Sequence, residues 1–356
     1  MNIPASLFVA LTLAAPAGCA LAPGQAGVPC RFDDTACAKK ALIGHAARKL
    51  DFWRPALARP LEQRIGAAPP ELLEYVSLDN IFQGVADRPR AATLTPEFLK
   101  DVQDAFAEIP PGVKRLLPAR LAGIYFIEDF GGTGYTDEIG DPGSKPAAGF
   151  IVLDPKVLSA RTANAWATWK ENTPFSPAPG FRLEAEIEST AQDNRKNAIQ
   201  YILLHELGHV VSINNRIHPS WNDEAGDVSP TAGYPFFELS WGISDDRKSY
   251  VTRFDAAFPK RREVVYYFGA KLAAGEMAAV YDRLENTNFA TLYAATNPFD
   301  DFAESFVSYV HTVVMKRPFE IRIRQDGKLA KVFGSCWTQP RCAEKRKILE
   351  RLFKQP

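Results

Sequence analysis

Apolar and polar positions divide the chain into a helical beginning, a β-rich middle and a mixed end. Apolar residues recur at helical spacing near 36 to 52, 70 to 83 and 96 to 108, with Pro-containing turns between them, which predicts short helices. Leu121 to Phe130 (LAGIYFIEDF) and Gly149 to Asp154 (GFIVLD) are β-rich runs around a Gly-rich loop, Gly131 to Gly143, and read as strands of one sheet. Phe181 to Ile187 (FRLEAEI) alternates apolar and charged residues, as a strand with one solvated face does. A long helix is expected next, with Thr190 as N-cap, Asp193 three residues on, and Ala198 to Ile213 as its body. Residues 214 to 235 read as loop and 260 to 295 as mostly helical. Asn297-Pro298 opens a helix over roughly Phe299 to Met315, and Glu320 to Phe333 reads as a β-hairpin on Asp326-Gly327.

Composition narrows the class without naming it. The 356 residues carry 42 Lys+Arg against 42 Asp+Glu, with 46% hydrophobic and 24% charged positions, which excludes a disordered, collagenous or coiled-coil chain. Balanced charge gives no footprint for nucleic acid, and no apolar run approaches the roughly 18 residues that span a bilayer. The last stretch, 316 to 356, is basic, with 12 Lys+Arg and 4 Asp+Glu. Near the start, Leu7 to Ala15 is a short apolar run followed by small residues, the layout of an export signal. Two cleavage outcomes stay open: an A-x-A site at Ala20-Leu21-Ala22, or a lipobox-like Pro16-Ala17-Gly18-Cys19 that would place a lipid on Cys19 and attach the chain to a membrane. The remaining cysteines, Cys30, Cys37, Cys336 and Cys342, are even in number and suit two disulfides in an oxidising compartment; the spacings suggest local loops, and other pairings stay open.

The chemistry centres on His205-Glu206-Leu207-Gly208-His209, an H-E-x-x-H sequence. On a helix the i, i+4 spacing puts both imidazoles on one face, where they can share a tetrahedral metal, with Glu206 beside it. Catalytic zinc keeps three protein ligands and an open position, so a third ligand must come from elsewhere. Glu304 is the first choice. It lies on the helix that carries Asp300, Asp301 and His311 as a polar stripe among Phe302, Ala303, Phe306 and Val307; Glu238, in FFELSW, is the rival. Tyr309, Tyr293, His311 and His218 are candidate oxyanion donors. Of these His311 is placed nearest the site and His218 at the surface.

H-E-L-G-H with a downstream helix reading F-A-E-S-F resembles the gluzincin branch of the zincin metallopeptidases over residues 190 to 315. The resemblance implies an α+β, zincin-like fold with a mixed sheet, an active-site helix and additional N-terminal helices. It implies one Zn2+ on His205, His209 and Glu304, with Glu206 as general base; His311 and Tyr309, from the donor candidates above, are the further catalytic candidates. It also implies a peptide or protein substrate held by β-addition, with GFIVLD or FRLEAEI as the receiving strand. The expected organisation is a signal segment (1–22), a helical N-terminal region (23–120), a catalytic domain (121–335) and a basic C-terminal segment (336–356), in an exported zinc peptidase of the periplasm, outer membrane or medium. A non-catalytic zinc-binding protein of the cell envelope on the same scaffold is the alternative.

Overall fold

The computed structural model describes residues 28–141, 143–229 and 233–354, so the export signal and Cys19 lie outside the described residues. Its helices are α1 (Thr35–Ile43), α2 (Leu50–Leu57), α3 (Pro70–Gln83), α4 (Pro96–Ala107), α5 (Pro111–Lys114), α6 (Pro155–Leu158), α7 (Ala163–Asn172), α8 (Arg195–Ser212), α9 (Met277–Glu285), α10 (Pro298–Tyr309) and α11 (Ala343–Lys354). The strands are β1 (Ile65–Ala67), β2 (Arg90–Ala91), β3 (Leu121–Glu128), β4 (Gly134–Ile139), β5 (Ala148–Leu153), β6 (Phe175–Ser176), β7 (Phe181–Glu186), β8 (Trp241–Ile243), β9 (Tyr250–Thr252), β10 (Leu272–Ala273), β11 (Glu320–Gln325) and β12 (Lys328–Gly334). The protein is α+β, and its main sheet is mixed. In the order β1-β3-β5-β4 the first three strands are parallel and β4 is antiparallel at the edge, while β2 adds to β3.

Strand β5 explains the layering. It is buried along its whole length, which is why it reads as an uninterrupted apolar run. Side chains alternate across a strand, so Phe150 and Val152 pack with Trp53, Leu72 and Tyr75 in one core, and Ile151 and Leu153 join Phe106, Ile199 and Leu203 in the other. The helices before residue 120 are therefore split between two faces: α1 to α3 cover one, and α4 lies beside α8 on the other. α11 lays Phe353 on Tyr309, and Lys345, fully buried, sits 2.5 Å from Asp301.

Three local expectations change. The Gly-rich loop holds strand β4, and within 260–295 only α9 is an α-helix. The N-cap of α8 is Asn194, whose side chain accepts from Asn197 N–H; Asp193 instead accepts from Asn164 N–H and Thr162 Oγ1. The hairpin forms as β11 and β12 around Asp326-Gly327, both with positive φ, and β11 also pairs with β7 in a separate three-stranded sheet. The disulfides are Cys30–Cys37 and Cys336–Cys342, which suits an oxidising compartment. Among the described residues no helix is long and apolar enough to cross a membrane.

Candidate metal centre

Two helices build the centre, and a glycine lets them meet. A Cβ added at Gly208 of α8 would lie 2.9 Å from Ala303 Cα of α10, so the backbones approach at a pair of small residues. That crossing places His205 and His209 opposite the first turn of α10. Their Nε2 atoms are 3.2 Å apart, and each lies 3.5 Å from Asp300 Oδ1. The orientation of Asp300 follows from the helix cap: Asn297 accepts from Phe299 N–H and Asp300 N–H, while its Nδ2 donates to Asp300 Oδ2 at 2.6 Å, which leaves Oδ1 toward the imidazoles.

The donor set fits zinc. Tetrahedral ligands at 2.0 to 2.1 Å from zinc stand about 3.3 to 3.4 Å from one another, close to the three observed separations. The three ligand atoms all lie within 4.8 Å of one another. Electrostatics show that the carboxylates favour positive charge at the two rings. Burial opposes a proton on His205, yet Asp300 and Glu304 raise it to about 10; burial also opposes charge on Asp300, and the two histidines hold it far below the usual carboxylate range.

The carboxylate facing both imidazoles is thus Asp300, and Glu304, expected as third ligand, stands behind the centre. Its Oε1 lies 2.9 Å from His205 Nδ1, off the line of the ring N–H, and accepts from Lys170 Nζ at 2.7 Å; its Oε2 accepts from Thr291 Oγ1 at 2.6 Å. The reason is one of rise: four residues along α10 keep Glu304 on the same face but about 6 Å further along the axis, at the far nitrogen of the same histidine. Burial would raise its pKa, but Lys170 and His205 hold it down at about 2.

Glu206 is fixed from the sheet. Thr136 Oγ1 donates to Glu206 Oε2 at 2.6 Å, and a Cβ at Gly134 would lie 2.4 Å from Glu206 Oε1, so the carboxylate occupies the space a side chain would take. Both residues belong to β4, the edge strand. Its odd-numbered residues pair toward β5, which directs the main-chain groups of Gly134, Thr136 and Glu138 outward. Glu138 N–H is taken by Asp137 Oδ1 at 2.7 Å. The two strands expected to receive substrate are elsewhere: β5 is paired on both sides, and β7 belongs to the separate sheet.

The chain matches no protein-family model, curated protein or solved structure.

Other candidates resolve as packing. His311, in a π-turn after α10, is buried edge-on to Tyr201 and donates from Nε2 to Ile187 O at 2.7 Å; burial lowers its pKa to about 4. Tyr309 stacks on Phe353 and meets Trp337 edge-on. Glu238 is exposed and caps Tyr234 N–H. His218 is buried against Phe299 and Trp221, because the loop that carries it folds under the rim of the cleft. Tyr293 does reach the centre, its ring stacked on His205 at 5.7 Å. Asp300 was visible in the sequence as part of the acidic stripe; Thr136, Gly134 and Lys170 carried no local signal, since each acts only through a contact made across the fold.

Proposed function

We propose that this protein is an exported zinc-dependent peptidase of zincin type, with His205, His209 and Asp300 as metal ligands and Glu206 as general base. The observation that carries the reading is the convergence of two imidazole nitrogens and one carboxylate oxygen at near-tetrahedral spacing, with an independently anchored glutamate beside them. Zinc bound there polarises a carbonyl and lowers the pKa of a water to about 7. Glu206 is suited to take a proton and return it to the leaving amine: Thr136 occupies Oε2, and Oε1 remains for the transfer. Glu304, held by Lys170, packs Oε1 2.9 Å from His205 Nδ1, the place a carboxylate takes behind a metal-binding histidine. The half-buried outer edge of β4 at Gly134 to Thr136, beside Glu206, supports a peptide substrate, because the main-chain groups there point away from β5 and can add an extended chain. Export to the periplasm or medium, with or without a lipid on Cys19, accords with the two disulfides.

Glu206→Gln tests the mechanism. The variant should retain about one zinc per chain by elemental mass spectrometry while losing at least a thousandfold in cleavage of a peptide library. Cleavage that survives in the variant would remove Glu206 from the chemistry, and zinc without cleavage in wild type would favour the envelope-binding role.

A further inference from the structure

The cleft continues past the metal centre onto the opposite face of β4. Gly134 and Thr136 face Glu206, so by alternation Tyr135 and Asp137 face α3. Asp137 is saturated there. The O–H groups of Tyr75 and Tyr135 donate to Oδ2, and Trp221 Nε1 and Glu138 N–H donate to Oδ1. A second carboxyl, Asp79 of α3, lines the same cavity, whose volume is about 780 Å³ and whose wall includes Thr136, Trp221 and Phe299 beside the centre. Trp221 joins the two regions, since its ring also meets that of His209 at 5.7 Å.

Asp79 differs from Asp137 in what it lacks. The Gln83 side chain hydrogen-bonds to it, while the Tyr135 hydroxyl beside it is already given to Asp137. Six basic residues also line the cavity, Lys39, Arg48, Lys248, Arg261, Arg262 and Lys271, and Arg48 acts on Asp79 through space, but among the described residues Asp79 has no ion-pair contact, whereas Arg261 and Arg262 pair with Asp255. Burial and the adjacent Asp137 push its pKa up to about 7 and outweigh the charge of Arg48, so a cation brought into contact would be favoured. Tyr75, Tyr135 and Phe82 surround it with aromatic surface, which favours the stem and head of a cationic side chain. A peptide added along the outer edge of β4 sends alternate side chains to opposite faces, one set toward α8 and the other toward α3.

We propose that Asp79 forms the floor of a subsite that takes a lysine or arginine side chain of the substrate, an inference that rests on the peptidase reading above. The subsite would make the enzyme selective for basic peptides at one position along the β-added segment.

The test separates the subsite from the chemistry. Zinc-loaded, full-length Glu206→Gln protein is titrated by calorimetry with capped alanine heptapeptides carrying a single lysine or norleucine at each position in turn. Lysine should bind at least about tenfold tighter than norleucine at one position. In Asp79→Asn that ratio should fall to about one, and in Asp79→Glu, which keeps the charge, it should persist. Absence of binding, absence of a lysine preference at every position, or a preference that survives Asp79→Asn would overturn the proposal. The same peptides are then offered to the wild-type enzyme: lysine selectivity in binding without any cleavage would sink the peptidase reading and leave the subsite standing, whereas cleavage indifferent to lysine would do the reverse.

Discussion

Replacing Asp300 by Ala and, separately, Glu304 by Gln should weaken zinc binding to very different extents. Asp300 presents Oδ1 at 3.5 Å from both Nε2 atoms, so its removal deletes one corner of the tetrahedron. Structural zinc sites bind with about 10 to 16 kcal/mol over four ligands, roughly 2.5 to 4 kcal/mol per ligand, so Asp300→Ala should cost on the order of a hundred- to a thousandfold in affinity. Glu304 touches only the far nitrogen of His205, and losses behind a ligand run about 10- to 100-fold. Glu304→Gln also leaves Lys170 buried without its counter-charge, a change on the order of 3 to 5 kcal/mol in stability, so the comparison is made on protein verified as folded by circular dichroism. Competition with a chromophoric chelator gives both constants. If Glu304→Gln loses more affinity than Asp300→Ala, Asp300 is not the ligand and the assignment from interatomic distance fails.

Other outcomes follow from single contacts. Gly134→Ala should leave zinc content near one per chain but lower kcat at least tenfold in a peptide assay, because the new methyl displaces the Glu206 carboxylate; unchanged kcat would mean that β4 yields instead. Gly208→Ala should cost about 1 to 3 kcal/mol in urea denaturation, since its Cβ meets backbone and not a movable side-chain tip. For His311 the folded pKa, about 4, lies below the unfolded value of 6.5, so its contribution is present above pH 6.5 and is lost as pH falls toward 4. The whole effect is on the order of 3 kcal/mol at most. Urea titrations of His311→Gln, which keeps a donor for Ile187 O, should show a flatter dependence across that window; an identical slope would contradict it.

How much could be seen beforehand depended on whether a residue acts locally. The motif helix, the runs at 121–130 and 149–154 and the hairpin were legible because hydrophobic periodicity and turn residues encode them within a few positions. The short spacing of the cysteines likewise pointed to the pairings that form. Strand β4 was not legible, for GYTDEI has little apolar alternation and owes its place to pairing with β5 and to buried acids that bond across the cleft. The choice between Asp300 and Glu304, one turn apart on one face, turned on the axial offset of α10 against α8, a quantity set by the crossing at Gly208 and Ala303 that no one-dimensional pattern records. His311 and Tyr309 lay on the right helix and the wrong side of it.

That crossing bears on how the proposed metal would come and go. The histidines and Asp300 are held by interlocked backbones, a capped helix start and a disulfide-closed chain end, and two extensive cores support the surrounding layers. A centre of this kind is a preformed socket. Treatment with a strong chelator should empty it while the far-ultraviolet spectrum stays unchanged, and zinc returned afterwards should restore occupancy without a refolding lag. The ion would then serve the proposed reaction and not the architecture.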